Sequence, residues 1–135
     1  MEYLLDTNIC IYIIKKKPLN VFNKFQTLSV GSVGISAITL AELEYGIAKS
    51  MNPEGNRAAL EKFLIPLNIL DFGIDSTNEY GKIRAALEKQ GTPIGSLDLL
   101  IAAHAVSLNL ILVTNNENEF ERVEHLKIEN WVKYL

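Results

Sequence analysis

The chain predicts an α/β fold, a three-layer α/β/α sandwich on a mostly parallel sheet of four to five strands, in a single domain of residues 1–135. Three observations carry this prediction. Short apolar runs alternate with longer stretches of helical period, the pattern of strands joined by crossover helices. One late segment, residues 97–108, is apolar nearly all round and belongs inside a layered core. Carboxylates follow the apolar runs at strand-to-helix junctions, and open parallel sheets bind ligands beyond the carboxyl ends of their strands.

Residues 2–5 are the first expected strand and residues 7–16 the first helix, with Ile9, Ile13 and Ile14 on its apolar face. Pro18 suits the first turn of a second helix that reaches Leu28. A brief strand follows at residues 34–36, then a helix over residues 38–51 with Leu40, Leu43 and Ile47 at helical spacing. Asn52-Pro53-Glu54-Gly55 signals a turn. A helix over residues 56–64 stops near Pro66, and residues 67–72 give a third strand. Asp75 or Ser76 caps a helix running to Gln90 and ending at Gly91. After the loop at residues 92–95 comes the buried helix, then a strand at 110–113, a short helix within 115–123 and an edge strand at 126–129. Trp131 is expected to pack the tail down.

A 48% apolar and 21% charged composition belongs to a globular protein that is not disordered. The net charge of −3 excludes a wholly basic nucleic-acid binder. Local basic groups remain: the run Lys15-Lys16-Lys17, Lys24, and the helical Lys49, Arg57, Lys82, Arg84 and Lys89. These are phosphate contacts or solvated helix faces. The single Cys10 excludes an internal disulfide and lies among isoleucines, as a buried thiol does. With no basic leader and no apolar run of spanning length, the expectation is a cytoplasmic protein without membrane contact.

The chemistry rests on three acids. Asp6 closes Tyr3-Leu4-Leu5, Glu42 lies just inside the helix after Val33-Gly34-Ile35-Ser36, and Asp98 opens the buried helix. The chain has only four aspartates, and two of them stand at these junctions. Each acid also has a local explanation. Asp6 is a suitable N-cap, Glu42 completes a capping box with Thr39, and Asp98 favours a helix N-terminus capped by Ser96. Capping accounts for each position separately but not for an acid at all three junctions. Clustered carboxylates raise one another's pKa, and a divalent cation relieves the repulsion. Metal-assisted phosphodiester hydrolysis follows, with no Ser, Cys or His nucleophile. His104 is expected as a packed, hydrogen-bonded core residue and His125 as a surface one.

The motifs Leu5-Asp6-Thr7-Asn8-Ile9, Ser36-Ala37-Ile38-Thr39-Leu40-Ala41-Glu42-Leu43-Glu44-Tyr45-Gly46, Pro93-Ile94-Gly95-Ser96-Leu97-Asp98-Leu99-Leu100-Ile101-Ala102-Ala103-His104-Ala105 and Val113-Thr114-Asn115-Asn116 with Glu119-Phe120 run the length of the chain. In order and spacing they resemble PIN-domain nucleases, specifically the VapC branch and its enteric-type members. The resemblance implies a PIN-like fold with Asp6, Glu42 and Asp98 as the core acids, steadied by the hydroxyls of Thr7 and Thr114. Many relatives have Asp where this chain has Asn116, so either Glu119 supplies the fourth acid or Asn116 acts through a water. The resemblance also implies Mg²⁺, with Mn²⁺ as a substitute, and RNA cleavage, with initiator tRNA cut in its anticodon stem-loop. It implies a homodimer, silencing by a VapB-type antitoxin in a larger complex, and contact with DNA only through that antitoxin.

Other readings fit less well. A phosphoacceptor domain needs adjacent acids after its first strand and a lysine after its last. Here Thr7 and Asn8 follow Asp6, and no lysine follows Thr114 until Lys127. A phosphatase with an Asp nucleophile needs Asp-x-Asp where Asn8 stands. An inert nuclease-like scaffold need not keep all three acids. Phe22, Phe25 and Ile47 are apolar positions that either pack into the core or form a groove for a partner helix.

Overall fold

The computed structural model describes residues 1–133. Strand β1 (Tyr3–Leu5) leads to helices α1 (Thr7–Lys15) and α2 (Leu19–Gln26). β2 (Val33–Ser36) leads to α3 (Ala37–Ala48) and α4 (Pro53–Leu64). After β3 (Asn68–Leu70) come α5 (Ile74–Gln90) and α6 (Ser96–Ser107), then β4 (Ile111–Val113), α7 (Glu117–Phe120) and β5 (Lys127–Glu129). The five strands lie in the order β3-β2-β1-β4-β5, and every neighbouring pair is parallel. The sheet is thus wholly rather than mostly parallel.

Alternation along β1 explains the two cores. Successive strand side chains point to opposite faces. Tyr3 and Leu5 pack with Ile9, Ile13, Val21, Leu43, Leu60 and Phe63 on one side. Leu4 packs with Leu87, Leu99, Ala102, Leu112 and Phe120 on the other. All three β1 residues are buried, as a central parallel strand covered on both faces requires. The tail closes the first face. Trp131 is buried, meets the Tyr3 ring edge-on at 5.5 Å and donates from Nε1 to Glu129 at 3.0 Å. Asn20 donates to the carbonyl of Val132 at 2.6 Å, tying α2 to that tail.

The structure corrects several helix starts. Pro18 stands one place before α2 as its N-cap residue. The expected turn at residues 52–55 opens α4 instead: Asn52 accepts from the Gly55 N–H at 3.2 Å, and Pro53 takes the first helical position, where a missing N–H costs nothing. Neither Asp75 nor Ser76 caps α5, which starts after Gly73. Gly91 ends α5 with φ of 73°, as expected of a glycine there. Among the described residues no helix is long and apolar enough to cross a membrane.

The chain runs from β1 outward to β3, then returns to place β4 on the other side of β1. Adjacent connections therefore diverge at the carboxyl end of β1, which is where open α/β sheets form their ligand crevice.

Candidate active site

Asp6 is the first residue beyond β1. Its N–H donates to the Val113 carbonyl at 2.9 Å, which extends the sheet by one step and fixes the side chain over the crevice. One carboxylate oxygen accepts from the Thr7 N–H at 2.8 Å, so Asp6 is the N-cap of α1, as expected. The other oxygen accepts from the Thr114 hydroxyl at 2.8 Å. Thr114, just past β4, is fully buried, and its hydroxyl also accepts from the Asn116 N–H at 2.9 Å.

Glu42 is half-buried on the second turn of α3 and accepts from the Thr7 hydroxyl at 2.6 Å. The expected capping box with Thr39 does not form. Ser36 caps α3 by accepting from the Ile38 N–H at 3.0 Å, so the helix starts too early for Thr39 to serve, and the Thr39 hydroxyl is buried without a hydrogen bond. Glu42 is free of a capping duty and faces the crevice.

Asp98 lies in the first turn of α6. Ser96 is not its cap: Gly95 holds that place with no side-chain bond, and the Asp98 carboxyl folds back beside it. Glu119, on α7, accepts from the Asn116 side-chain amide at 2.9 Å and shares a hydrogen bond with Asp98. The two candidates for the fourth position are thus joined, with the amide as donor and Glu119 as the acid in the cluster.

The electrostatics follow from this convergence. Burial pushes the Asp98 carboxyl up to about 7, and the hydrogen bond to Glu119 and the charges of Asp6, Glu119 and Glu42 add to it. The same bond holds Glu119 below the usual carboxylate range. Asp6 is raised by burial and by Glu42 and Glu119, while the Thr114 hydroxyl and the Thr7 N–H oppose the rise. Every charge acting on Asp6 and Asp98 is negative. Arg122 acts on Glu119, but no cation offsets Asp6 or Asp98, and acids in that state suit a divalent ion. Among the described residues, however, no three stand ready around a common ion, so the expected shared centre is a coupled cluster rather than a formed coordination shell. Asp98 and Glu119 are hydrogen-bonded to each other instead. Mg²⁺ in any case keeps several waters and takes only one or two carboxylates directly.

Three of the basic groups weighed for phosphate contact are paired on the surface, Arg57 with Glu44, Arg84 with Glu88 and Lys82 with Glu79, while Lys16 and Lys49 lie over the rings of Phe22 and Tyr45. Lys15 instead lines a groove with Ile11, Ile14, Glu42, Ile47 and Leu60. Ile47 is buried at the base of that groove, and Phe22 and Phe25 are half-buried beside the first core. His104 is buried and bonded to Ser36, and the His125 side chain is exposed, both as expected.

Comparison with known proteins decides the family. The PIN domain model matches residues 3–126. Ribonuclease VapC2 of Rickettsia felis is 48% identical over 134 residues, covering 98% of this chain and all of that protein. The chain belongs to the PIN-domain family, in its VapC ribonuclease branch. Another VapC relative, the tRNA(fMet)-specific endonuclease VapC of Shigella flexneri, is 47% identical, covering 97% of this chain and 98% of that one. The crystal structure of VapBC2 from Rickettsia felis bound to a DNA fragment from their promoter matches with a TM-score of 0.91 at 47% identity, over 97% of this chain and 99% of that one. VapC proteins are ribonucleases, and the PIN family is one of metal-dependent hydrolases, so this chain is an enzyme of that class.

Proposed function

We propose that this protein is the toxin of a VapBC-type pair, a Mg²⁺-dependent endoribonuclease that cuts initiator tRNA in its anticodon stem-loop and so stops translation. One observation carries the reading: carboxylates from four separate segments meet at the crevice with only negative charge around Asp6 and Asp98. The tRNA(fMet)-specific name of the Shigella relative supports the substrate.

Asp6, Glu42 and Asp98 hold the ion, and Glu119 serves as the fourth acid. Mg²⁺, or Mn²⁺ in its place, would supply a Lewis acid there that activates water and offsets charge on the phosphate. The rest is done by side chains. Thr114 and the Thr7 N–H oppose the rise in the Asp6 pKa, and the Thr7 hydroxyl aims Glu42. Asn116 orients Glu119, which is hydrogen-bonded to Asp98. Products carry 5′-phosphate and 3′-hydroxyl ends.

The partners follow from the same reading. A VapB-type antitoxin segment lies in the groove between α1, α3 and α4, which ends at Glu42, and blocks the acids. The pair assembles from toxin homodimers in the cytoplasm, with the whole of residues 1–135 as one domain, and reaches DNA only through the antitoxin. Solved relatives in antitoxin- and DNA-bound form support this.

The test is cleavage of purified initiator and elongator tRNAs with Mg²⁺ or with a chelator, followed by sequencing of the RNA ends. Cleavage confined to initiator tRNA, abolished by the chelator and reduced at least about 10²-fold by Asp6→Asn, is expected. Chelator-resistant cleavage, or an Asp6→Asn variant as active as the parent, would end the metal reading. Equal cleavage of all tRNAs would end the substrate reading alone.

A further inference from the structure

One layer beneath the carboxylates lies a second fully buried polar contact. Ser36 closes β2 with no exposed surface, and its hydroxyl caps α3 through the Ile38 N–H. The Nδ1 atom of His104, a residue of α6 that is 1% exposed, stands 2.8 Å from that hydroxyl oxygen. The hydroxyl already accepts from Ile38, so its own hydrogen is available to the ring. The Phe72 ring meets the imidazole edge-on at 5.4 Å and fixes its plane.

The imidazole packs against Phe72 within the buried core on this face of the sheet. Its other polar neighbour is the backbone of Asp71, just past β3. What the polar pair adds is direction. Apolar packing lets two helices slide by small amounts, whereas a buried hydrogen bond holds one offset. The elements it joins are the β2–α3 junction, which leads into Glu42, and α6, which begins at Asp98. The Thr7–Glu42 bond ties α3 to α1 but not to α6.

We propose that Ser36 and His104 are positioning residues: their bond sets the offset of α3 against α6, and with it the spacing of Glu42 from Asp98 that lets the cluster accept a divalent ion. This rests on the reading of those two acids as ion-holding groups. The pair is 68 residues apart in sequence and touches neither acid.

The experiment measures Mn²⁺ affinity by calorimetry on the full-length protein, alongside kcat and KM for RNA and urea stability. His104→Leu keeps the volume and removes the bond. It is expected to weaken Mn²⁺ binding about tenfold, the scale of a lost outer contact at a metal site, and to lower kcat with KM unchanged. His104→Asn places an amide where Nδ1 stood and is expected to restore most of both. Parent affinity and kcat in His104→Leu, or an Asn variant as weak as the Leu one, would overturn the proposal. Should His104→Leu not fold, Ser36→Ala carries the same test, with the same loss expected and parent affinity overturning it. Asp98→Asn is the control. If it binds Mn²⁺ like the parent, the ion site itself is misassigned and both readings fall. If it loses binding while His104→Leu keeps it, only the positioning role falls.

Discussion

Thr114 does the most with the fewest atoms. Its hydroxyl donates to Asp6 and accepts from Asn116, and it is fully buried between them. Valine has nearly its shape and neither bond. Thr114→Val should cost about 1–3 kcal/mol in urea unfolding, because the Asn116 N–H and the Asp6 carboxylate each lose a buried partner. It should also shift the acidic limb of the activity profile to higher pH, since the hydroxyl bond is one of two that hold the Asp6 pKa down. An unmoved limb in the pH–rate profile would show that Asp6 ionisation does not control the reaction. Asp6, Glu42 and Asp98 were legible as junction acids: Asp6 ends an apolar run, Glu42 lies inside the helix after the next one, and Asp98 opens the apolar helix. The choice between Asn116 and Glu119 was not, since it depends on which of the two side chains donates to the other. Ser36 and His104 were legible as single residues but not as a pair, because nothing local relates positions so far apart.

At the scale of elements, the strands were readable and the helix starts less so. Asn52-Pro53 illustrates why. The same dipeptide serves a turn or the first two places of a helix, and only the Gly55 N–H reaching back to Asn52 distinguishes them. β2 holds a tighter constraint. Gly34 faces Asn68 across the β2–β3 ladder, and a Cβ built there would lie 2.9 Å from the Asn68 carbonyl oxygen and 2.9 Å from the Met1 sulfur. The Met1 side chain can turn away, but the carbonyl is backbone and moves only if the strands separate. Gly34→Ala is therefore expected to lower stability by about 1–3 kcal/mol, the usual cost of overpacking. Hydrogen exchange should report the loss at β3 first, because that strand has β2 as its one neighbour. Unchanged protection along Asn68–Leu70 would mean the two strands accommodate the methyl group without parting.

At the scale of the molecule, the crevice trades stability for chemistry, and pH exposes the trade. An unfolded aspartate titrates near about 3.9. In the fold Asp98 is raised to about 7, first by burial and then by its hydrogen bond to Glu119. Between those values the native state keeps a proton that the unfolded chain has released. Asp98 thus contributes most below the unfolded pKa, and its contribution is lost as pH rises through about 7. Asp6, also raised, acts in the same direction. The metal-free protein should lose melting temperature between about pH 5 and about pH 8. On the proposed function Mg²⁺ binds the ionised acids, so its stabilising effect should grow over the same interval and offset the decline. Asp98→Asn removes the titrating group and one charge of the cluster, so its metal-free melting temperature should fall less with pH, and added Mg²⁺ should raise it little. Scanning calorimetry of both proteins, with chelator and with Mg²⁺, measures all four curves. A metal-free parent whose melting temperature stays level or climbs over that interval would mean that Asp98 is not held protonated by the fold. The sheet order makes this arrangement possible, since only the return of the chain to β4 beside β1 brings Asp6, Thr114 and the start of α6 to one edge.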